Sequence, residues 1–441
     1  YNRNKEDAEF ALGDQWPRDI RNQRVQEGRP CLTENRLLPF INKTVNEIRQ
    51  ARPSIIVRPV DEFSDPEVAK ILRGIIRNIE TVSDAETAYD TAAYNAVMSG
   101  YGWIRVTTEY ADYKSFDQEV RIERVLNGSS VYIDPNSQRM DASDAEYMFV
   151  YEDMQKDDFT EAYGDEDIDS FEADEEWVTD DTIRVAEYFY KDYEEKTLIK
   201  YTVVVAGVEE EKNEYLEDFP NGELPVDVIE MDRRTVDVCS IKWCKLTKNK
   251  ILETADFPGI YIPLVPVIGM ETWLKGKRQV FSLIHQAKDP QMRFNFFMTA
   301  STELIALQPK APFIGASGQF ETNRQQWMDA NRVNHAFLEY DMVIDEETGI
   351  PAPPPQRTAP PQGSMGMTQE TMGAADGIKS TLGIYDASLG QQTNDISGKA
   401  IIARQMQGDN STFHFVDNLS TAMKQVGRVL VDLIPRIYTG K

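Results

Sequence analysis

Three histidines, His285, His335 and His414, are the first residues to weigh for chemistry, because imidazole titrates near neutral pH and is the commonest metal ligand. They lie far apart in the chain. Only His414 has a carboxylate close by, Asp417 in "HFVD", and no serine or cysteine in a nucleophile motif completes a relay. All three read as structural or surface histidines. Cys31, Cys239 and Cys244 form no CxxC pair, and the odd count fits a reducing compartment without disulfides. "SGKA", Ser397 to Ala400, looks like the end of a phosphate loop but lacks the upstream glycine, and a helix cap explains it better. GxxxxGK[ST], GxGxxG after a strand, HExxH and GxSxG are absent from the sequence. From Glu152 to Asp181 carboxylates crowd together, as in "GDEDIDSFEADEEWVTDD", with Phe171 and Trp177 as sparse anchors. The regular alternation and central glycine of an EF-hand loop are missing, so an exposed acidic helix or loop is expected rather than a Ca²⁺ site. No catalytic, cofactor or metal site is expected, and an enzyme is disfavoured.

One polar cluster remains. "WLKGKRQ" sets Lys275, Lys277 and Arg278 close together in a chain whose 47 Lys and Arg face 74 Asp and Glu, for a formal net charge of −27. That balance opposes ordinary nucleic-acid binding, which needs cations to displace counterions from phosphates. It solubilises the surface, or lets the surface meet DNA without sticking to it. The basic cluster is either paired with neighbouring acids or placed to grip phosphates or an acidic partner face.

The elements that would position these groups alternate in type. No apolar run reaches the ~18 residues of a membrane helix, and "YNRNKEDAEFALGDQWP" has no signal-peptide core. Tyr1 in first place reads as a start inside a longer gene product. "LTENRLLPFINKTVNEIRQ" predicts a helix capped by Thr33, with Leu37, Leu38, Ile41, Val45 and Ile48 on its apolar face and Pro39 near the first turn. In "SDPEVAKILRGIIRNIE" Asp65 caps and Pro66 takes the first position, ahead of a stripe of Val68, Ile71, Leu72, Ile75, Ile76 and Ile79. A helix from Asp84 to Ser99 should stop at Gly100. Strands are predicted at 103–108, 119–125, 131–133, 147–151 and 183–190, with two more in "TLIKYTVVVAG" and "VDVCSIKWCKLT". "FPGIYIPLVPVIG", punctuated by prolines, reads as an irregular buried connection. The fold class is α+β.

Beyond residue 280 the period turns helical. In "KDPQMRFNFFMTASTELIALQPK" Asp289 can cap and Pro290 suits a first turn, or kinks a longer helix begun near Phe281. Phe294, Phe297, Met298, Ser301, Leu304 and Ile305 share its expected face. Residues 311–350 read as a small module with turns at "GASGQ", a helix in "NRQQWMDANR" and strands in "HAFLEY" and "DMVI". The segment "IPAPPPQRTAPPQGS", six prolines in fifteen residues, is then a stiff strap returning the chain to a second helix, 364–382. That helix should set Met365, Met372, Ala375, Ile378 and Leu382 on one face and Gly366, Gly373 and Gly377 beside it. Each internal glycine costs roughly 1 kcal/mol against alanine, and close helix approach at Gly373 and Gly377 would offset that cost. A loop over 386–395, a helix from Ser397 and a last amphipathic helix follow. Phe415, Leu419, Met423, Val426, Leu430 and Leu433 form its core side, and Pro435 kinks or ends it.

"GDQWP", "RPCLTENRLLPFINKTVNEIRQARPSIIVRPVD", "KDPQMRFNFFMTASTELIALQPKAPFIG" and "GIYDASLGQQTNDISGKAIIARQMQGDNSTFHFVDNL" together resemble the portal proteins, or head-to-tail connectors, of short-tailed, podovirus-type bacteriophages. The resemblance runs through most of the chain in order. It implies the portal fold, an α/β wing, a two-helix stem, a small α/β clip and C-terminal helices, assembled as a ring of about twelve copies. On this basis residues 1–280 are wing with an acidic insertion near 152–181, and 281–307 the first stem helix, packed through Phe294, Phe297 and Met298. Residues 308–350 are clip, 351–363 the strap, and 364–383 the second stem helix. Residues 384–396 hold the tunnel loop, whose Gln391, Gln392 and Asn394 join Lys275, Lys277 and Arg278 as candidates for DNA-channel or partner contacts. Residues 397–441 are C-terminal wing or crown-base helices, and the crown or barrel common in the family is missing or incomplete by Lys441. The implied partners are further copies of the chain, the major capsid protein, the terminase large subunit, tail adaptor proteins and double-stranded DNA in transit, with no cofactor and no membrane. The implied place is the portal vertex of the virion, after assembly in the host cytoplasm. Another ring-forming adaptor or tail component, or less readily a salt-adapted acidic hydrolase, would share part of these features.

Overall fold

The computed structural model describes residues 2–59, 65–164, 177–179, 181–205, 208–219, 229–306, 313–330, 333–345, 349–357, 365–384 and 398–438. In chain order these form α1 (Asn2–Ala11), α2 (Arg18–Gln26), α3 (Leu38–Gln50), α4 (Pro66–Val82), α5 (Ala85–Ser99), β1 (Tyr101–Tyr110), β2 (Gln118–Arg124), β3 (Val131–Ile133), β4 (Tyr147–Gln155) and α6 (Lys156–Tyr163). Then come β5 (Thr182–Val205), β6 (Val208–Tyr215), β7 (Ile229–Leu246), β8 (Ile251–Phe257), β9 (Leu264–Ile268), β10 (Met270–Leu274) and β11 (Lys277–Phe281). The last part holds α7 (Lys288–Ala306), β12 (Phe313–Ile314), α8 (Arg324–Asp329), β13 (Gln356–Arg357), α9 (Met365–Leu382) and α10 (Gly398–Ile437). The chain divides into two compact units, one of residues 1–11, 38–285 and 384–441, the other of residues 12–37 and 286–383. Sequence had placed residues 1–280 in a single block. Residues 12–37 leave it because their partners are on α7.

In the first unit, β2-β1-β9 make a three-stranded antiparallel sheet and β3-β4-β5-β7-β8 a larger one, with β6 also paired to β5. Trp103 of β1, Met148 of β4, Phe189 of β5 and Ile241 of β7 meet in one buried cluster. The strands predicted separately at 183–190 and after Thr197 are one continuous β5, held along its length by β7. The run read as an irregular connection is β9, every residue of it buried. Pro266 stands opposite Trp103 there. Proline is tolerated because β9 is an edge strand, with no second neighbour for the missing N–H to bond.

Helix boundaries follow local chemistry. The Asp65 carboxylate accepts from the Glu67 N–H at 2.8 Å, with Pro66 in the first turn. Gly100 ends α5 in the left-handed conformation, φ 93°, as glycine at that position does. Thr33 caps nothing, because the chain there is committed elsewhere and the helix starts at Leu38. Of the predicted α4 stripe only Ile76 and Ile79 are buried, alongside Ala69, while Val68 and Ile71 are exposed in the single chain. The segments read as two C-terminal helices form one helix, α10, with Pro435 in its last turn. Phe415, Leu419, Met423, Val426, Leu430 and Leu433 are all buried in it, as their spacing predicts.

Small residues set the depth of this packing. Ala88, Ala92 and Ala96, one turn apart on α5, are buried against β1 and β2. At Gly102 an added Cβ would lie 1.8 Å from the Ala92 carbonyl oxygen, an atom that cannot swing aside. Gly102→Ala is therefore expected to destabilise the unit by about 3 kcal/mol, the upper end of ordinary overpacking. Urea unfolding followed by circular dichroism measures it, and an unchanged midpoint would contradict this packing.

Candidate functional site

The second unit is organised by α7. Its buried column is Gln291, Asn295, Thr299 and Glu303, four residues apart, with Phe294 beside it. This differs from the apolar face expected from the sequence. Phe297 and Met298 are half-buried, and Phe296 and Ile305 are exposed. The reason is the segment 29–36, which runs along the helix and is bonded through alternate backbone groups. Gln291 donates to the Glu34 carbonyl at 2.7 Å and accepts from the Arg36 N–H at 3.2 Å. Asn295 accepts from the Glu34 N–H at 3.1 Å and Thr299 from the Leu32 N–H at 3.3 Å. Asn295 also donates to the Gln15 side chain, and the Trp16 indole donates to the Leu32 carbonyl. The Arg36 guanidinium lies over the Phe294 ring, 4.2 Å from its centroid.

Glu303 closes the column with charge. Its carboxylate accepts from Arg24 at 2.5 Å and from Arg29 at 3.1 Å. Arg24 and Glu303 are nearly shut off from solvent, 10% and 8% exposed, so each needs the other. The Arg29 hydrogen bond first, and Arg24 after it, hold the Glu303 carboxyl below its ordinary value of 4.5.

The partner of α7 in this unit is α9, which buries Ala374, Ile378 and Leu382. Met365 and Met372, expected on that face, are exposed. Gly373 and Gly377 face α7 of the same chain. A Cβ at Gly373 would meet Arg293 Nη2 at 3.5 Å, and one at Gly377 would meet Pro290 Cβ at 3.6 Å, both ordinary contacts. α7 begins at Lys288, not near Phe281, because Phe281 pairs with Met270 in the β10–β11 hairpin and a 3₁₀ turn at His285–Ala287 intervenes. Pro290 therefore sits in the first turn of the helix and kinks nothing.

Between the two helices the proline-rich segment is part of a module. Phe313 and Phe320 pack edge-on against Trp327, each 4.9 Å between centroids. The buried Gln319 amide accepts from the Ala316 N–H and donates to the Pro353 carbonyl at 2.9 Å. Ala352 N–H bonds to the Val343 carbonyl, and Gln356–Arg357 pair with Phe313–Ile314 as a short ladder. The first half of the strap is thus a closing edge of the module. "HAFLEY" and "DMVI", expected as strands, form one bridge among the described residues, Ile344 to Pro351, and the prolines of the partner segment offer a ladder no donors.

The basic cluster is split by its fold. Lys275 and Gly276 form the tight turn of the β10–β11 hairpin, with φ 51° and 72°. Arg278 is bound, 2.9 Å from Glu271 and 2.8 Å from the Arg139 carbonyl. Lys275 and Lys277 are exposed and have no ion-pair partner among the described residues. Gln391, Gln392 and Asn394, with the rest of the expected tunnel loop, lie outside the described residues.

Sequence missed one polar cluster. Asp7, fully buried on α1, takes the Ser282 hydroxyl at 2.7 Å and lies 3.0 Å from His285 Nδ1. The three residue types are those of a hydrolase triad, but serine and histidine both address the carboxylate rather than each other. They tie α1 to the end of the hairpin. A separation of 275 residues left no sequence signal. Among the described residues no group of His, Cys, Asp and Glu could hold a metal ion, and no helix is long and apolar enough to cross a membrane.

Two outcomes follow from the seam and its partner helix. Because the folded pKa of Glu303 lies below 4.5, its contribution is complete above that value and is lost as pH falls through the lower folded value. Glu303→Ala should cost about 3 kcal/mol at pH 7 by stranding Arg24, and should remove this share of the acid sensitivity from a pH series of urea melts. Gly373→Ala and Gly377→Ala meet no obstacle within the chain, so each should raise subunit stability by about 0.5–1 kcal/mol. A loss in the isolated subunit would contradict the α7–α9 packing.

The comparisons with known proteins agree with this architecture. A family described as phage P22-like portal protein matches residues 1–441. A portal protein of Acyrthosiphon pisum secondary endosymbiont phage 1 is 24% identical over 427 residues, 93% of this chain and 58% of that protein. The chain therefore spans little more than half the length of this relative. With the family match running from the first residue to the last, through both units and the module between α7 and α9, the chain belongs to the phage P22-like portal protein family.

Proposed function

We infer that the chain works as a portal: a ring of about twelve copies at one capsid vertex, through which the genome is packaged and later ejected. The observation that carries this is the pair α7 and α9. Their mutual contact and the 29–36 segment leave Phe296, Ile305, Met365 and Met372 exposed in the single chain, and a ring of neighbours would cover such helices. On this reading the first unit is largely wing, α7 and α9 are stem, and the aromatic module with its proline edge is clip. The clip would receive the terminase large subunit during packaging and tail adaptor proteins afterwards, and the wing would meet the major capsid protein. Assembly would take place in the host cytoplasm and the product would reside in the virion. Gln391, Gln392 and Asn394 would belong to the loop nearest the passing DNA.

The net charge of −27, multiplied around a ring, suits a conduit. Carboxylates within a Debye length of about 8 Å repel phosphates and leave few adhesive positions along the path. Lys275 and Lys277 would offset that repulsion locally. Replacing both by glutamine is expected to leave folding and assembly intact and to lower DNA packaging, with a flatter dependence on salt than wild type. Arg278→Gln is expected to lower the melting temperature instead, since it removes the cation from the nearly buried Glu271 and leaves it only the Trp273 indole among the described residues. Packaging that is unchanged in the double lysine variant at every salt concentration would remove the lysines from the mechanism.

A further inference from the structure

Two features of the first unit are unexplained by its own packing. At the tip of the β1–β2 hairpin, Phe116 is 95% and Tyr113 89% exposed, with Tyr110 exposed beside them. This is not a loose loop. Ala111 N–H bonds to the Asp117 carbonyl at 2.8 Å, Ser115 N–H to the Asp112 carbonyl at 3.0 Å, and Asp117 N–H to the Ser115 hydroxyl at 3.0 Å. The rings are presented on an ordered support, which lowers the entropy lost when they dock. Asp112 and Asp117 flank the rings in sequence, Glu109 lies 3.7 Å from Arg121, and the Lys114 ammonium sits over the Tyr113 ring, 5.0 Å from its centroid, so the tip keeps an acidic balance.

The second feature is a groove of about 830 Å³ between the segment 53–58 and α10, within the range of pockets that take ligands or anchor side chains. Ile55, Met423 and Val431 supply its apolar part. Four cationic side chains, Arg58, Lys424, Arg428 and Arg436, line it against one carboxylate, Asp432. Arg428 and Arg436 are tied to Asp141 and Asp432, while Arg58 and Lys424 are exposed and have no ion-pair partner among the described residues. The backbone of 53–58 joins no sheet. Among the described residues, the Arg73 guanidinium donates to its Val57 carbonyl at 2.9 Å.

We propose that the Tyr113–Phe116 hairpin tip of one copy inserts into the 53–58/α10 groove of the next. Aromatic rings flanked by carboxylates meet an apolar cavity rimmed by cations, so shape class and charge agree. Knob and groove are different surfaces of the same chain, which makes the contact heterologous, and a heterologous contact closes a ring when its rotation is right. The inference rests on the ring reading above and adds the residues that join neighbours in the first unit.

The test uses the full chain with a photoreactive phenylalanine analogue at position 116, irradiated in the assembled state and mapped by mass spectrometry. Cross-links from position 116 of one copy to residues 53–58 or 420–436 of another are expected. Tyr113→Ala with Phe116→Ala, both on exposed side chains, should raise the concentration for half-assembly roughly 30-fold or more, the effect of losing a hot spot, with the subunit's melting temperature unchanged. Cross-links elsewhere, cross-links within one chain, or none, in rings that do form, overturn the contact alone. So does unchanged assembly of the double variant. A wild-type chain that stays monomeric overturns the ring reading and the contact with it.

Discussion

A match between two repeats organises the helical unit. Four residues of an α-helix advance about 6 Å, and two residues of extended chain advance about 6.6 Å. Side chains spaced four apart on a helix can therefore address alternate backbone groups of an extended segment laid beside it. Gln291, Asn295 and Thr299 do this for residues 32–36, and Glu303 ends the series with two arginines. A strand partner would have met the same backbone needs but could not have sat on a helix.

This seam dictates where the apolar residues go. With one face of α7 given to amides, a hydroxyl and a carboxylate, only Phe294 is buried beside it, under Arg36, while Phe296 and Ile305 turn towards solvent. The first unit follows a different rule, in which alanines on α5 and a glycine on β1 bring helix and sheet together and the larger side chains fill the space around Trp103. The first unit still leaves apolar side chains exposed, among them Leu126, Met231, Ile251 and Leu274 besides the aromatic tip and the outer stripe of α4. In the second unit Phe296 and Ile305 of α7 and Met365 and Met372 of α9 are exposed.

Much of the fold was legible in the residues. Asp65-Pro66, Gly100 and the apolar column of α10 read correctly because capping, left-handed termination and helical periodicity are local. The failures share a cause, which is that a distant segment decided the outcome. Nothing near Gln291 announces that its helix face will be polar, since the partner is over 250 positions away. The same holds for Asp7 with Ser282 and His285, and for Gln319 reading the carbonyl of Pro353. β9 was misread because its prolines looked disqualifying, and only its place at a sheet edge removes the objection. The basic cluster was visible as charge, but its division into a bound arginine and two exposed lysines depends on the hairpin register. The family was legible from ordered blocks spread along the chain, well before any site was.

The account's central claim is that this acidic chain completes itself only by closing into a ring with a passage along the axis. Electron micrographs of the purified 441-residue chain test it most directly. The account predicts class averages with rotational symmetry near twelvefold around a central channel, in particles of roughly 600 kDa built from 50.3 kDa chains. Monodisperse particles of single chains, at every concentration tried, would contradict it.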